Sequence, residues 1–378
     1  MRDKKLDNMR IVCYNMNTYS AGFARISAAM ASTLRQRNRT RKGSVSSVEV
    51  AQLAGVSQAT VSRVFSAATN VSPETRARVL AAARKLGYRP NAIARSLNQR
   101  STRIIGIVLI RFMNPFYARL LQEFTSRLQG LGYWTLLLNV QNGAELEEVL
   151  PMALQYQVDG IIITSALLSS QLADECARLG TPVVLFNRYS LDTKVHAVCC
   201  DNVAGGRMVA DALLDAGHSR IAYIAGEPGS STNRDREMGF TERLNERGMS
   251  LYARAGGDYT YESGYQAAQE LLRLQPPPDA IFCANDLMAM AAMDAARYEM
   301  NLRVPEDLSI IGFDDIPMAA WPNYQLTTVH QPIDRMVDVT LDVLLEAIGR
   351  VTEERIVRFI SPSLIVRSSA RLGNLLTD

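Results

Sequence analysis

Three histidines and five cysteines are all that this chain offers toward metal or nucleophile chemistry. The cysteines fall at positions 13, 176, 199, 200 and 283, an odd number without the paired spacing of a metal site. Cys199 and Cys200 are adjacent and poorly placed to bridge each other, so a reduced compartment fits best. Also missing are a CxxC pair, a GxGxxG after a first strand and a GxxxxGK(S/T) phosphate loop. These absences argue against every common enzyme class. The expectation is a protein that is not an enzyme and uses no cofactor and no metal.

Long apolar runs are absent too. None approaches the ~20 residues of a membrane span, and the cleanest, such as Ile104–Ile110, are strand-sized. Lys4, Lys5 and Arg10 are followed by no apolar core or small-residue cleavage site, which argues against a secretory signal and for the cytoplasm. What is present is an ordinary globular composition, 47% hydrophobic and 21% charged over 378 residues, long enough for two or three compact units. Charge is distributed unevenly. Residues 1–103 hold nineteen Lys and Arg against four acids, whereas the remainder holds twenty-two against thirty-four. A basic front on an acidic body is the footprint of a head that binds a polyanion.

Residues 1–44 have neither helical nor strand period and end in Arg35, Arg37, Arg39, Arg41 and Lys42. They read as a disordered basic extension, with Met30 an alternative start. Residues 45–90 are helical in pattern, 91–103 form a short basic connector, and 104–372 alternate apolar strands with amphipathic helices. Strands are expected at Ile104–Ile110, Thr135–Val140, Gly160–Thr164, Val183–Asn187, Ile221–Ala225, Ala280–Ala284 and Leu308–Phe313. Such alternation builds βαβ units on parallel sheets. Extended crossings near Cys199–Asn202 and Leu326–Pro332 divide this body into two subdomains facing a cleft. The first takes about 104–200 and 333–360, the second about 201–330 and 361–372.

The head carries the sharper signals. Ser46 and Glu49 match a capping box, and Val48, Ala51 and Leu53 supply the inward side of a short first helix. Gly55 allows a tight turn, and Ser57 caps a second helix, Gln58–Phe65, whose Val61 and Val64 point inward. Two short helices joined by a glycine turn make a helix-turn-helix, whose second helix enters the major groove of DNA. On its exposed side, Arg63 can pair with guanine, Gln58 with adenine, and Ala59 can touch a thymine methyl. A third helix starts at Ser72-Pro73, is braced by Ala77, Val79, Leu80, Ala83 and Leu86, and ends at Gly87.

The ordered set Val48-Glu49-Val50-Ala51, Ala54-Gly55-Val56-Ser57, Thr60-Val61-Ser62-Arg63-Val64, Val71-Ser72-Pro73-Glu74-Thr75-Arg76 and Leu86-Gly87-Tyr88-Arg89-Pro90-Asn91 strongly resembles the lactose-repressor (LacI/GalR) family of bacterial transcriptional regulators. The likeness continues through the body, over roughly Val45–Ser368. It implies an all-α helix-turn-helix head, a hinge helix within 91–103, and an α/β core like the type I periplasmic binding proteins. Gln58, Ala59 and Arg63 match base-reading positions. Ser57, Thr60, Ser62, Asn70, Ser72, Thr75, Tyr88 and Asn91 match phosphate-contacting or orienting ones, although Thr75 and Tyr88 also suit plain capping or packing. Asn91–Asn98, with Ala94 among them, matches the hinge helix, and Leu97 matches the residue that wedges into the minor groove. On that reading Leu97→Ala weakens DNA binding and spares ligand affinity.

In the body, the resemblance implies a small ligand between the two subdomains. Phe116, Tyr117, Thr164, Asn187, Arg236, Tyr259, Asn285 and Asp314 match ligand-contacting positions, with Gln331 a weaker match. Their chemistry suits a polyhydroxylated ligand, with rings to stack on and planar polar groups to pair with hydroxyls. Asn285 also suits a helix cap, and Arg236 an interface ion pair; Asp315, His218 and His330 read as structural. The resulting expectation is a nucleoid-associated regulator, most simply a repressor. It binds a palindromic operator in double-stranded DNA as a homodimer and answers to a sugar or sugar acid, without contact with membranes. The alternatives are a purine- or nucleoside-responsive member of the same family and, at the far end, a solute-binding protein.

Overall fold

The computed structural model describes residues 45–65, 71–89, 101–110, 114–140, 143–164, 169–190, 195–349 and 354–372. The expected extension 1–44 lies outside these residues, as do Asn70 and the expected hinge residues Asn91, Ala94 and Leu97. The chain divides into two units, Met1–Arg95 and Ser96–Asp378.

In the first unit, α1 (Ser47–Ala54), α2 (Gln58–Phe65) and α3 (Pro73–Leu86) pack around a core of their own. The capping box forms in both directions, Ser46 accepting from Glu49 N and Glu49 from Ser46 N. Gly55 and Gly87 end α1 and α3 with φ of 63° and 69°, the left-handed conformation that a side chain disfavours. The core differs from expectation in phase. Val50, Ala51 and Ala54 are buried on α1, whereas Val48 and Leu53 are nearly half exposed. On α3 the buried set is Val79, Ala82 and Ala83, and Ala77 and Leu80 face outward. An eight-residue helix makes little more than two turns, so more than one apolar stripe fits its period. Contact with the neighbouring helices selects one.

The second unit begins with β1 (Ile104–Ile110), α4 (Pro115–Gly130), β2 (Trp134–Val140), α5 (Gly143–Gln155), β3 (Gly160–Thr164), α6 (Ser170–Arg178), β4 (Val183–Phe186) and β5 (His196–Cys200). It continues with α7 (Asn202–Asp215), β6 (Ile221–Ile224), α8 (Ser231–Glu246), β7 (Ala253–Ala255), α9 (Tyr261–Leu272), β8 (Ala280–Cys283), α10 (Asp286–Asp294) and β9 (Ser309–Asp314). The last elements are β10 (Thr327–His330), α11 (Ile333–Gly349), β11 (Val357–Ile360) and β12 (Ser363–Ile365). They form two six-stranded sheets, ordered β11-β5-β4-β3-β1-β2 and β12-β10-β9-β8-β6-β7. Every pairing is parallel except that of β10 with β12.

Parallel strands flanked by helices are buried on both faces, which explains unbroken apolar runs such as β1 and the fully buried β3, β4 and β8. Strands β5, β7, β10, β11 and β12 go beyond the expected set. Unlike the equally short β4, β6 and β8, they mix polar or charged residues into three to five positions, and their strand state comes from the neighbours they pair with. The chain passes between the sheets after Cys200, after His330 and between Ile360 and Ser363. Three crossings tie the sheets together and leave a cleft beside the C-terminal ends of their strands, the usual ligand position in open α/β sheets.

Candidate functional site

On the head, Ser57, Gln58, Ala59, Ser62 and Arg63 are exposed on one flank of α2, while Val61 and Val64 hold the opposite flank in the core. Ser57 Oγ accepts from Thr60 N at 3.2 Å, and Ser72 Oγ accepts from Thr75 N at 3.2 Å. Each serine thereby caps one helix start. The two starts converge: Ser57, Thr60, Arg63, Ser72 and Thr75 line a single hollow with Val56 and Val71. Hydroxyls and helix N-termini beside a guanidinium suit a phosphate group. Gln58 Nε2 donates to Ser47 Oγ at 3.0 Å, which fixes the side chain along the edge of α1. Tyr88 lies elsewhere. Its ring packs 5.6 Å from that of Phe65, in a separate hollow with Leu80, Arg84 and Arg89.

In the body, ten residues line the cleft: Asn114, Phe116, Tyr117, Asn187, Arg188, Thr232, Arg236, Tyr259, Asn285 and Asp314. Seven of the eight expected effector residues are among them. Thr164 is not: it is fully buried at the end of β3, and its hydroxyl donates to Val108 O at 3.0 Å. Asn114, Arg188 and Thr232 line it as well, the first within the Asn-Pro-Phe-Tyr run and the second just past a strand end. The cleft is narrow, about 20 Å³, on the order of one water molecule.

Arg236, on the first turns of α8, is the centre of the site. Its Nε donates to Asn202 Oδ1 at 2.8 Å, Nη1 donates to Ala284 O, and Nη2 lies 3.4 Å from Asp314 Oδ1. Its Cζ stands 3.7 Å over the Phe313 ring, a cation–π contact. Asp314 Oδ1 also accepts from Gln331 Nε2 at 2.7 Å, so Gln331 positions Asp314. Burial pushes Asp314 above the usual carboxylate range, against the pull of Arg236 and Gln331. Asp286 is raised by burial and then by the charge of Asp314, while bonds from Thr328 and Ile316 N oppose the shift.

Tyr259 Oη lies 3.0 Å from Thr232 Oγ1 and 3.3 Å from Ser230 Oγ. Asn285 is engaged as a cap, accepting from Met288 N at 3.0 Å and donating to Tyr259 O at 3.1 Å. Asn187 Oδ1 is buried and has no hydrogen-bond partner among the described residues. Asn187, Tyr259 and Asp314 all have positive φ, 62°, 70° and 123°. Strained non-glycine backbone of this kind clusters at ligand sites. The residues read as structural pair locally: Asp315 with Arg367 and His330, and His218 with Asp279.

A helix-turn-helix head and a two-sheet body with a polar cleft define a regulator that couples DNA to a small ligand. The description "Bacterial regulatory proteins, lacI family" matches residues 48–91, and "Periplasmic binding protein-like domain" matches residues 210–370. The HTH-type transcriptional repressor PurR of Photobacterium profundum is 32% identical over 85% of this chain and 98% of its own length. The ribose operon repressor of Escherichia coli is 32% identical over the same shares. Among solved structures, the lac repressor dimer bound to operator and an anti-inducer aligns with a TM-score of 0.78 at 28% identity, covering 86% of this chain and 98% of that one. The regulator CelR in complex with cellobiose aligns at 0.65 and 34% identity, covering 86% and 99%. The chain belongs to the LacI family of bacterial transcriptional regulators.

Proposed function

We propose that this regulator is a repressor that binds a near-palindromic operator as a homodimer and changes its grip when a sugar or sugar acid enters the cleft. The observation that carries this reading is the gathering of nine residues from distant parts of the body around Arg236, on the same chain as the exposed Gln58, Ala59 and Arg63. The base readers are Gln58, Ala59 and Arg63, with Ser57, Thr60, Ser72 and Thr75 holding phosphates. Two such heads on one duplex fall about 34 Å apart, one helical turn. A purine or nucleoside is the second reading, favoured by the aromatic Phe116 and Tyr117 in the cleft wall, whose rings meet edge to face with centroids 5.2 Å apart.

Selection from a random DNA library, followed by fluorescence anisotropy at ~0.15 M salt, tests the DNA function. The expected result is enrichment of a near-palindrome, bound at least about a thousandfold more tightly than random DNA. Arg63→Ala should weaken that site by about ten- to a hundredfold, a loss of ~1–3 kcal/mol, with little effect on random DNA. Equal binding of selected and random DNA rejects the reading.

A further inference from the structure

Arg188 follows β4 of the first sheet and lies in the wall of the cleft, 92% buried. Among the described residues its guanidinium, with five N–H donors, makes one hydrogen bond, from Nη2 to Glu227 Oε2 at 2.6 Å. Glu227 belongs to the loop between β6 and α8 in the second subdomain, and its side chain is one-third exposed. A buried cation in the wall is thus matched by an acid reaching in from the rim. Arg236, by contrast, is already held by Asn202, Ala284 O, Asp314 and Phe313. Next to Arg188 sits Asn187 Oδ1, an acceptor with no donor among the described residues, on a residue 95% buried. A buried acceptor without a donor is costly and calls for one from outside.

We infer that Arg188 is an anion subsite and that the effector is a polyhydroxylated carboxylate, whose carboxylate replaces Glu227 on Arg188 while a hydroxyl donates to Asn187 Oδ1. This rests on the effector-cleft reading above. The exchange is physically balanced. Glu227 is near the surface and regains hydration when it swings out, and the ligand carboxylate takes over the pairing that the buried Arg188 requires. A ligand carboxylate can take two parallel N–H bonds from Arg188 where Glu227 takes one. A neutral sugar leaves the Arg188–Glu227 pair intact and has nothing to gain there. The hydroxyl partner of Asn187 is what sets a sugar acid apart from a simple anion.

Calorimetric titration of the full-length protein with gluconate, galactonate, glucuronate and galacturonate, beside glucose, galactose and acetate, tests the assignment. One of the sugar acids should bind where its neutral parent and acetate do not. Arg188→Gln should weaken that acid about tenfold or more, and Arg188→Lys should fall in between. Glu227→Gln should tighten it several-fold, because the competing carboxylate is gone; a purely structural cross-cleft pair predicts no gain. The inference is overturned if no acid binds, if a neutral parent binds as well as its acid, or if Glu227→Gln weakens the acid. A neutral sugar whose binding is lost in Arg236→Lys leaves the effector cleft standing and removes only the anion subsite.

Discussion

Arg236 and Asp314 face each other at 3.4 Å with side chains almost wholly out of solvent. Removing one member of such a pair strands the other charge, and this makes Arg236→Ala a test of stability as well as of ligand response. A loss of about 3–5 kcal/mol is expected in urea unfolding, with less for Arg236→Lys, which keeps a cation beside Asp314. Equal, negligible losses for both variants would show that the pair is not held as described. Asp286 carries a pH signature. Its carboxyl is raised above the ordinary 3.8 by burial and by Asp314, so the folded protein holds its proton over a window where the unfolded chain has lost it. Stability therefore falls as pH rises from the ordinary value through the raised one. Asp286→Asn cannot ionise. Its unfolding midpoint, followed from about pH 4 to pH 8, should show a flatter decline than the parent's; parallel curves would contradict this.

Helix α7 lies directly against α8, and two glycines allow it. A Cβ on Gly206 would stand 2.3 Å from Arg236 O, and one on Gly239 would stand 2.1 Å from Val203 O. Both obstacles are backbone, which cannot rotate away. Gly206→Ala should therefore push α8 outward, cost about 1–3 kcal/mol and carry Arg236 away from Asn202 and Asp314. Effector affinity should drop while operator affinity persists, as calorimetry and anisotropy on one preparation would record; intact effector affinity would separate the helix contact from the site. Gly226 plays the same part for the ring of Tyr259, because a Cβ there would fall 2.2 Å from its Cζ.

The whole molecule contains separate hydrophobic cores. Val50, Val61 and Val79 belong to a cluster confined to the three head helices, whereas in the body one cluster runs across both sheets and a second lies against the first sheet alone. Units with independent cores need not unfold together. Calorimetry should resolve a head transition apart from that of the body, and Val61→Ala, at a position with no solvent exposure, should lower the head transition alone. A ligand of the cleft should raise only the body transition. A single transition that moves as one with both perturbations would overturn this division.

The head was legible in sequence because its determinants are local. Ser46 and Glu49 reach each other within one helical turn, Gly55 and Gly87 supply left-handed turns, and Ser57 and Ser72 bond the backbone three residues on. The runs Ile104–Ile110 and Gly160–Thr164 likewise declared themselves as buried strands. Tertiary structure alone decided which apolar residues of a two-turn helix face inward, so Val50 and Ala54 are buried rather than Val48 and Leu53. It also decided that Thr164 turns to Val108 O while Asn114, Arg188 and Thr232 join the cleft. Periodicity and capping act over a few residues. A cleft is made where strand ends from two sheets meet, and no spacing along the chain encodes which side chains arrive there.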